Sequence, residues 1–143
     1  FVQSEIARER QWQGVTLHGR LDRVDRTLEG EALVLDYKTE SGTRIRARVN
    51  DPTEDTQMAF YGALLADGGY PGVQGSYLML SEDDCRAFSQ QDMATAVQTL
   101  LDGVAQDVQR LAEGAALPAL GEGDACTYCA ARGLCRKDFW SAV

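Results

Sequence analysis

Asp22 lies in Gly19-Arg20-Leu21-Asp22-Arg23-Val24-Asp25, and a second acid opens Asp36-Tyr37-Lys38-Thr39 after the apolar run Leu33-Val34-Leu35. Two carboxylates on neighbouring strands can hold a hard divalent cation through oxygen. Such a cation lowers the pKa of a bound water and neutralises charge on a phosphate, which is the chemistry of phosphodiester hydrolysis. Lys38 is two residues beyond Asp36 and shares its strand face, because side chains alternate with period two. Its ammonium can stand beside the carboxylate and steer or stabilise an attacking water.

The elements around these residues follow from periodicity and turn chemistry. Val15 to Arg26 alternates as a strand, with Val15, Leu17, Gly19 and Leu21 on one side and Asp22 opposite. Glu29-Gly30-Glu31 marks a hairpin turn, and Ala32 to Lys38 is a strand with a buried apolar run. Glu5 to Trp12 reads as a strand or helix end, and Thr39 to Pro52 as a loop rich in Gly and Arg. A helix is predicted from Thr53, with cap residues in Asp51-Pro52-Thr53-Glu54 and the stripe Met58, Tyr61, Leu64, Leu65, stopped by Asp67-Gly68-Gly69. Val73 to Leu80 is a further strand, and Ser81 to Gln91 is ambiguous. Asp92 to Glu113 is the longest helix, with Met93, Val97, Leu100, Leu101, Val104, Val108 and Leu111 on one face, a core stripe rather than a cofactor site. The order β-β-β-α-β-α predicts an α/β fold, a mixed central sheet flanked by helices. Residues 1–120 are expected to form the core, and 121–143 a cysteine-bearing tail packed on it.

The 143 residues suffice for one compact domain, and 44% hydrophobic with 25% charged residues is ordinary globular composition. No apolar run approaches the ~20 residues of a membrane span. The polar start, Phe1-Val2-Gln3-Ser4-Glu5, lacks both a signal peptide and an initiator Met, so a cytoplasmic fragment of a longer protein is expected. The net charge of −8 argues against a simple nucleic-acid surface, but half of the 14 basic residues lie between Arg20 and Arg48, around the proposed site. No Gly-rich phosphate loop is present, which excludes the ATP-binding part of a motor.

Gly19-x-x-Asp22-Arg23-x-Asp25, Asp36-Tyr37-Lys38-Thr39, Gln57-x-x-x-Tyr61 and Cys126-x-x-Cys129-x5-Cys135 occur in that order. Together they resemble the RecB-type branch of the PD-(D/E)xK nucleases. The cysteines resemble its iron–sulfur members, the AddB-type subunits of bacterial helicase–nucleases and the CRISPR-associated RecB-like exonucleases. The resemblance spans about residues 15–65 and 124–140. It implies a restriction-endonuclease-like core that cuts DNA with Mg²⁺ or Mn²⁺. Asp22, Asp36 and the backbone carbonyl of Tyr37 would be metal ligands, and Lys38 the catalytic lysine. Gln57 and Tyr61, four apart and so on one helix face, would face the active site and the DNA, supported by Arg20 and Arg23.

Cys126, Cys129 and Cys135 would supply three ligands of a 4Fe–4S cluster. The fourth lies upstream of the nuclease motifs in the family and is missing here, and Cys85 is in the wrong place for it. The family also draws an acid or His from a preceding helix; Glu5 and His18 are the available candidates. The resemblance further implies a helicase–nuclease partner subunit and a role in double-strand-break processing. The alternatives are a stand-alone CRISPR-associated exonuclease and a non-catalytic DNA-binding or scaffold module. With a ligand and a cysteine missing, weak or no activity is expected from these residues alone.

Overall fold

The computed structural model describes residues 1–81, 84–116, 126 and 129–135. Five strands form one mixed sheet in the order β1 (Gln3–Trp12), β2 (Val15–Arg26), β3 (Ala32–Lys38), β4 (Val73–Leu80), β5 (Cys85–Ser89). Only β3 and β4 run parallel. Parallel neighbours need a crossover, and two helices supply it: α1 (Gly42–Asn50) and α2 (Gln57–Leu65). Helix α3 (Met93–Ala112) follows the sheet, and the single turn α4 (Arg132–Cys135) lies in the cysteine segment. The chain forms two compact units, Phe1–Gln106 and Asp107–Val143, and the whole sheet belongs to the first.

The hairpins form where turn chemistry favours them. Gln13 and Gly14 both take positive φ between the paired Trp12 and Val15, as a two-residue hairpin loop requires. Gly30, at φ +85, closes the turn in which Thr27 N–H donates to the Glu31 carbonyl. One face of the sheet is covered by helices. Its core joins Leu21 and Val24 of β2, Val34 of β3, Tyr77 of β4 and Met58 and Leu65 of α2, each at most 1% exposed. Leu33 and Leu35 point the other way and are only partly buried, so the apolar run of β3 alternates.

Helix α1 corrects the loop expected over residues 39–52. Ser41 stands at its N-cap position, and no Gly or Pro interrupts residues 43–51. Ile45 is fully buried and Val49 packs beside it against the core. With arginines at 44, 46 and 48, this narrow apolar stripe is hard to see in the sequence. Helix α2 begins at Gln57 rather than Thr53. Asp51 instead folds residues 51–55 into a turn, its Oδ1 accepting from the Thr53 hydroxyl at 2.7 Å and the Glu54 N–H at 3.2 Å. The ambiguous stretch after β4 contains β5, with Cys85 exposed opposite Leu80.

Candidate active site

Asp36 sits near the C-terminal end of β3, 3% exposed, on the helix-covered face. Its Oδ1 accepts from Gln57 Nε2 at 2.7 Å and from the Tyr61 hydroxyl at 3.4 Å. Gln57 Nε2 also donates to the Tyr61 oxygen at 2.9 Å, while Gln57 Oε1 accepts from Lys38 Nζ at 2.9 Å. The amide orientation is dictated by chemistry: an ammonium only donates and a carboxylate only accepts. Gln57 therefore clamps the acid and the base of the Asp-x-Lys together from the first turn of α2.

The other oxygen, Asp36 Oδ2, is buried without a hydrogen-bond partner. Lys38 Nζ lies 2.8 Å from it, an ion pair by distance but not aligned as a hydrogen bond. Burial pushes the Asp36 carboxyl above its ordinary range, the nearby Asp22 charge adds to the push, and Lys38 and Tyr61 act against it. Tyr61 is likewise raised by burial, against its bond from Gln57. An orphaned carboxylate oxygen in a dry site invites a cation or proton.

Asp22 reaches the same place by a break in strand alternation. Leu17 and Leu21 face the helices, and so does Val24, three residues beyond Leu21. The β1–β2 ladder pairs Ser4 with Arg23 and Ile6 with Leu21 but skips Glu5 and Asp22, and Glu5 takes φ +52. The distortion puts Asp22 on the face of Leu21, correcting the expectation that the two point oppositely. Asp22 Oδ2 accepts from the Tyr37 N–H at 3.1 Å, which ties the two acidic strands together. Gly19 lets α2 approach β2 closely: a Cβ there would meet Leu64 Cδ1 at 2.8 Å and Phe60 Cε1 at 2.9 Å.

A second polar group supports this clamp, and nothing in the sequence singled it out. Asp55 precedes α2 and accepts from the Tyr77 hydroxyl at 2.7 Å and the Gln57 N–H at 3.3 Å. Arg48 pairs with Asp55 and, at 2.7 Å, with Glu40. Burial would raise Asp55, but the bonds from Tyr77, Arg48 and Gln57 outweigh it and hold its carboxyl below the usual range. The Tyr77 ring lies under Lys38, 5.2 Å from Nζ to centroid, an attractive cation–ring contact. Asp55 carried no sequence signal of its own, and Tyr77 was only one position on the strand Val73–Leu80.

Asp22, Asp36, Lys38, Gln57 and Tyr61 thus converge. Arg20 and Arg23 do not join them. Arg20 is exposed and pairs with Glu5 at 2.6 Å. Arg23, opposite Leu35 on the uncovered face, forms a bidentate pair with Asp25 and lies over the Phe1 ring. Glu5 is therefore engaged by Arg20, and His18 is exposed on β2 opposite Glu9.

Among the described residues, no three of His, Cys, Asp and Glu are grouped as metal ligands. The two carboxylates still fit a hard divalent cation, because Mg²⁺ keeps several waters and takes only one or two carboxylates plus substrate phosphate, and Asp36 Oδ2 is the unsatisfied donor. In the cysteine segment, Cys129 N–H donates to the Cys126 carbonyl at 3.4 Å and Cys135 N–H to the Ala131 carbonyl at 2.9 Å.

No curated protein matches the chain. Among solved structures, the crystal structure of SSO0001 is 20% identical with a TM-score of 0.49, over 93% of this chain. The match spans only 59% of that chain's length. The family model described as the PD-(D/E)XK nuclease superfamily matches residues 1–136, nearly the whole sequence and every element of the carboxylate site. With the mixed sheet and the Asp-x-Lys at the end of β3, this establishes that the chain belongs to the PD-(D/E)XK nuclease superfamily.

Proposed function

We propose that this nuclease domain hydrolyses DNA phosphodiesters with Mg²⁺ or Mn²⁺, as the cutting part of a helicase–nuclease that processes double-strand breaks. One observation carries the hydrolytic part: a buried carboxylate with one oxygen that no hydrogen bond satisfies, ion-paired to a lysine and within the field of a second acid. Asp22, Asp36 and the Tyr37 carbonyl would hold the metal, which when bound activates water and neutralises phosphate charge. Lys38 places a positive charge beside the reacting centre, where it orients the attacking water or the non-bridging oxygens. Gln57 fixes Lys38 against Asp36, and Tyr61 fixes the rotamer of Asp36 from below. The amide and phenol cannot take the proton from water; their work is to hold geometry.

The finer parts rest on the motifs. The ordered set from Gly19 to Tyr61 supports the RecB-type branch, and Cys126-x-x-Cys129-x5-Cys135 supports the helicase–nuclease with its 4Fe–4S cluster. That cluster rests on spacing alone, and no step of hydrolysis draws on it. No described helix is long and apolar enough to cross a membrane. The test is Mn²⁺-dependent cleavage of labelled single- and double-stranded DNA. Asp36→Asn should abolish it, and Lys38→Ala should lower the rate about 10²–10³-fold, as loss of one preorganised charge-stabilising group does. Cleavage that survives Asp36→Asn would refute the assignment.

A further inference from the structure

Beside the carboxylate site, on the same face of the sheet, lies a cavity of about 280 Å³ lined by Gly42, Thr43, Arg46, Met79, Arg86 and Phe88. The strand ladder places it next to the active site. Met79 pairs with Lys38 across the β3–β4 ladder, and Phe88 pairs with Tyr77, which pairs in turn with Asp36. Two inter-strand steps, roughly 10 Å, separate Asp36 from the cavity floor.

Its chemistry is that of a phosphodiester. Arg46 lies over the Phe88 ring at 5.9 Å and, among the described residues, pairs with no carboxylate. The ring holds the guanidinium by its face and leaves the N–H fork available. Among the described residues Arg86 pairs with Asp84 alone, at 2.9 Å, with the side chains 60% and 43% exposed; such a pair is weak enough to yield to phosphate. Ser41 makes no side-chain cap, so the first-turn amides of α1 at Gly42 and Thr43 add partial positive charge. Met79 and Phe88 give an apolar floor for a sugar or base edge. Arg48, on the same helix as Arg46, is by contrast held by Glu40 and Asp55.

Building on the nuclease assignment, we propose that this cavity holds the phosphodiester backbone of the DNA strand flanking the scissile bond, with Arg46 and Arg86 as the phosphate ligands. It explains how a chain of net charge −8 can hold a polyanion: the positive charge is local and sits beside the cut.

The test is binding of a fluorescein-labelled 12-nucleotide single-stranded DNA to the full chain without divalent cation, titrated from low to moderate salt. Arg46→Ala/Arg86→Ala should lose roughly tenfold in affinity at low salt, and its log K against log salt slope should fall by about 0.7 for each phosphate contact removed. Arg46→Lys/Arg86→Lys should recover most of the slope. Arg44→Ala/Arg110→Ala, with the same charge change outside the cavity, should leave it nearly intact. An unchanged slope in the cavity variant, an equal drop in the control, or no binding by the wild type would overturn the proposal. Circular dichroism and Tm confirm folding of each variant. Asp36-dependent cleavage of the same DNA in Mn²⁺ is scored separately, so failure of the nuclease assignment reads out in cutting and failure of the subsite in the binding slope.

Discussion

Asp36 and Asp55 are both shielded carboxylates that touch Gln57, yet they end in opposite electrostatic states. Asp55 accepts from Tyr77 and the Gln57 N–H and is paired with Arg48, so its carboxyl is held low. Asp36 is more deeply buried, keeps one oxygen without a hydrogen bond, and is pushed high. Complete satisfaction marks a strut; incomplete satisfaction in a dry site marks a place where something else must bind. The strut holds α2 at its first turn, and α2 carries the clamp that joins Asp36 to Lys38.

Substitution separates the two roles. Asp36→Asn should remove at least about 10³-fold of the Mn²⁺-dependent rate while leaving stability nearly unchanged, because relief of a buried charge is offset by loss of its ion pair with Lys38. A fall in Tm matching that of an unfolded mutant would break the comparison. Asp55→Ala should instead cost about 2 kcal/mol by urea titration, less than a fully buried pair would because Arg48 is 35% exposed. Its residual activity should track the misplacement of Gln57 rather than vanish. Gly19→Ala forces α2 away from β2 and should cost roughly 1–2 kcal/mol by overpacking, with a loss of activity because Asp22 lies three residues along the same strand.

The smallest effect is in pH. The lowered carboxyl of Asp55 contributes stability that is complete above the unfolded value, about 3.9, and is lost as pH falls through its lower folded value. The raised carboxyl of Asp36 has the opposite sign: its ionisation costs stability as pH rises from about 3.9 to its higher folded value. In metal-free protein between about pH 5 and 3, Asp55→Asn should therefore lose less stability on acidification than wild type, and Asp36→Asn should lose more. Parallel slopes for the two variants would show that the carboxylates do not differ.

Strand β4 was legible in the sequence to the residue, β3 likewise, and the α3 boundaries to within a residue. Short apolar runs bounded by turn residues and long apolar periodicity are local signals that survive without knowledge of the partner. Helix α1 was not legible, because Ile45 and Val49 are too few apolar residues to stand out among its arginines. The aim of Asp22 was not legible either, because it depends on a distortion shared with β1.

By itself the sequence determined which side chains could do chemistry: acids at 22 and 36, a lysine two residues on, and Gln57 and Tyr61 one helical turn apart. These are matters of residue type and period, written into the chain. Only the tertiary structure decided that they meet, that Arg20 and Arg23 turn away, and that Asp55, Arg48 and Tyr77 hold the clamp. Those outcomes depend on burial and on contacts between strands and helices distant in sequence, and it is burial that gives a carboxylate oxygen without a hydrogen bond its energetic weight.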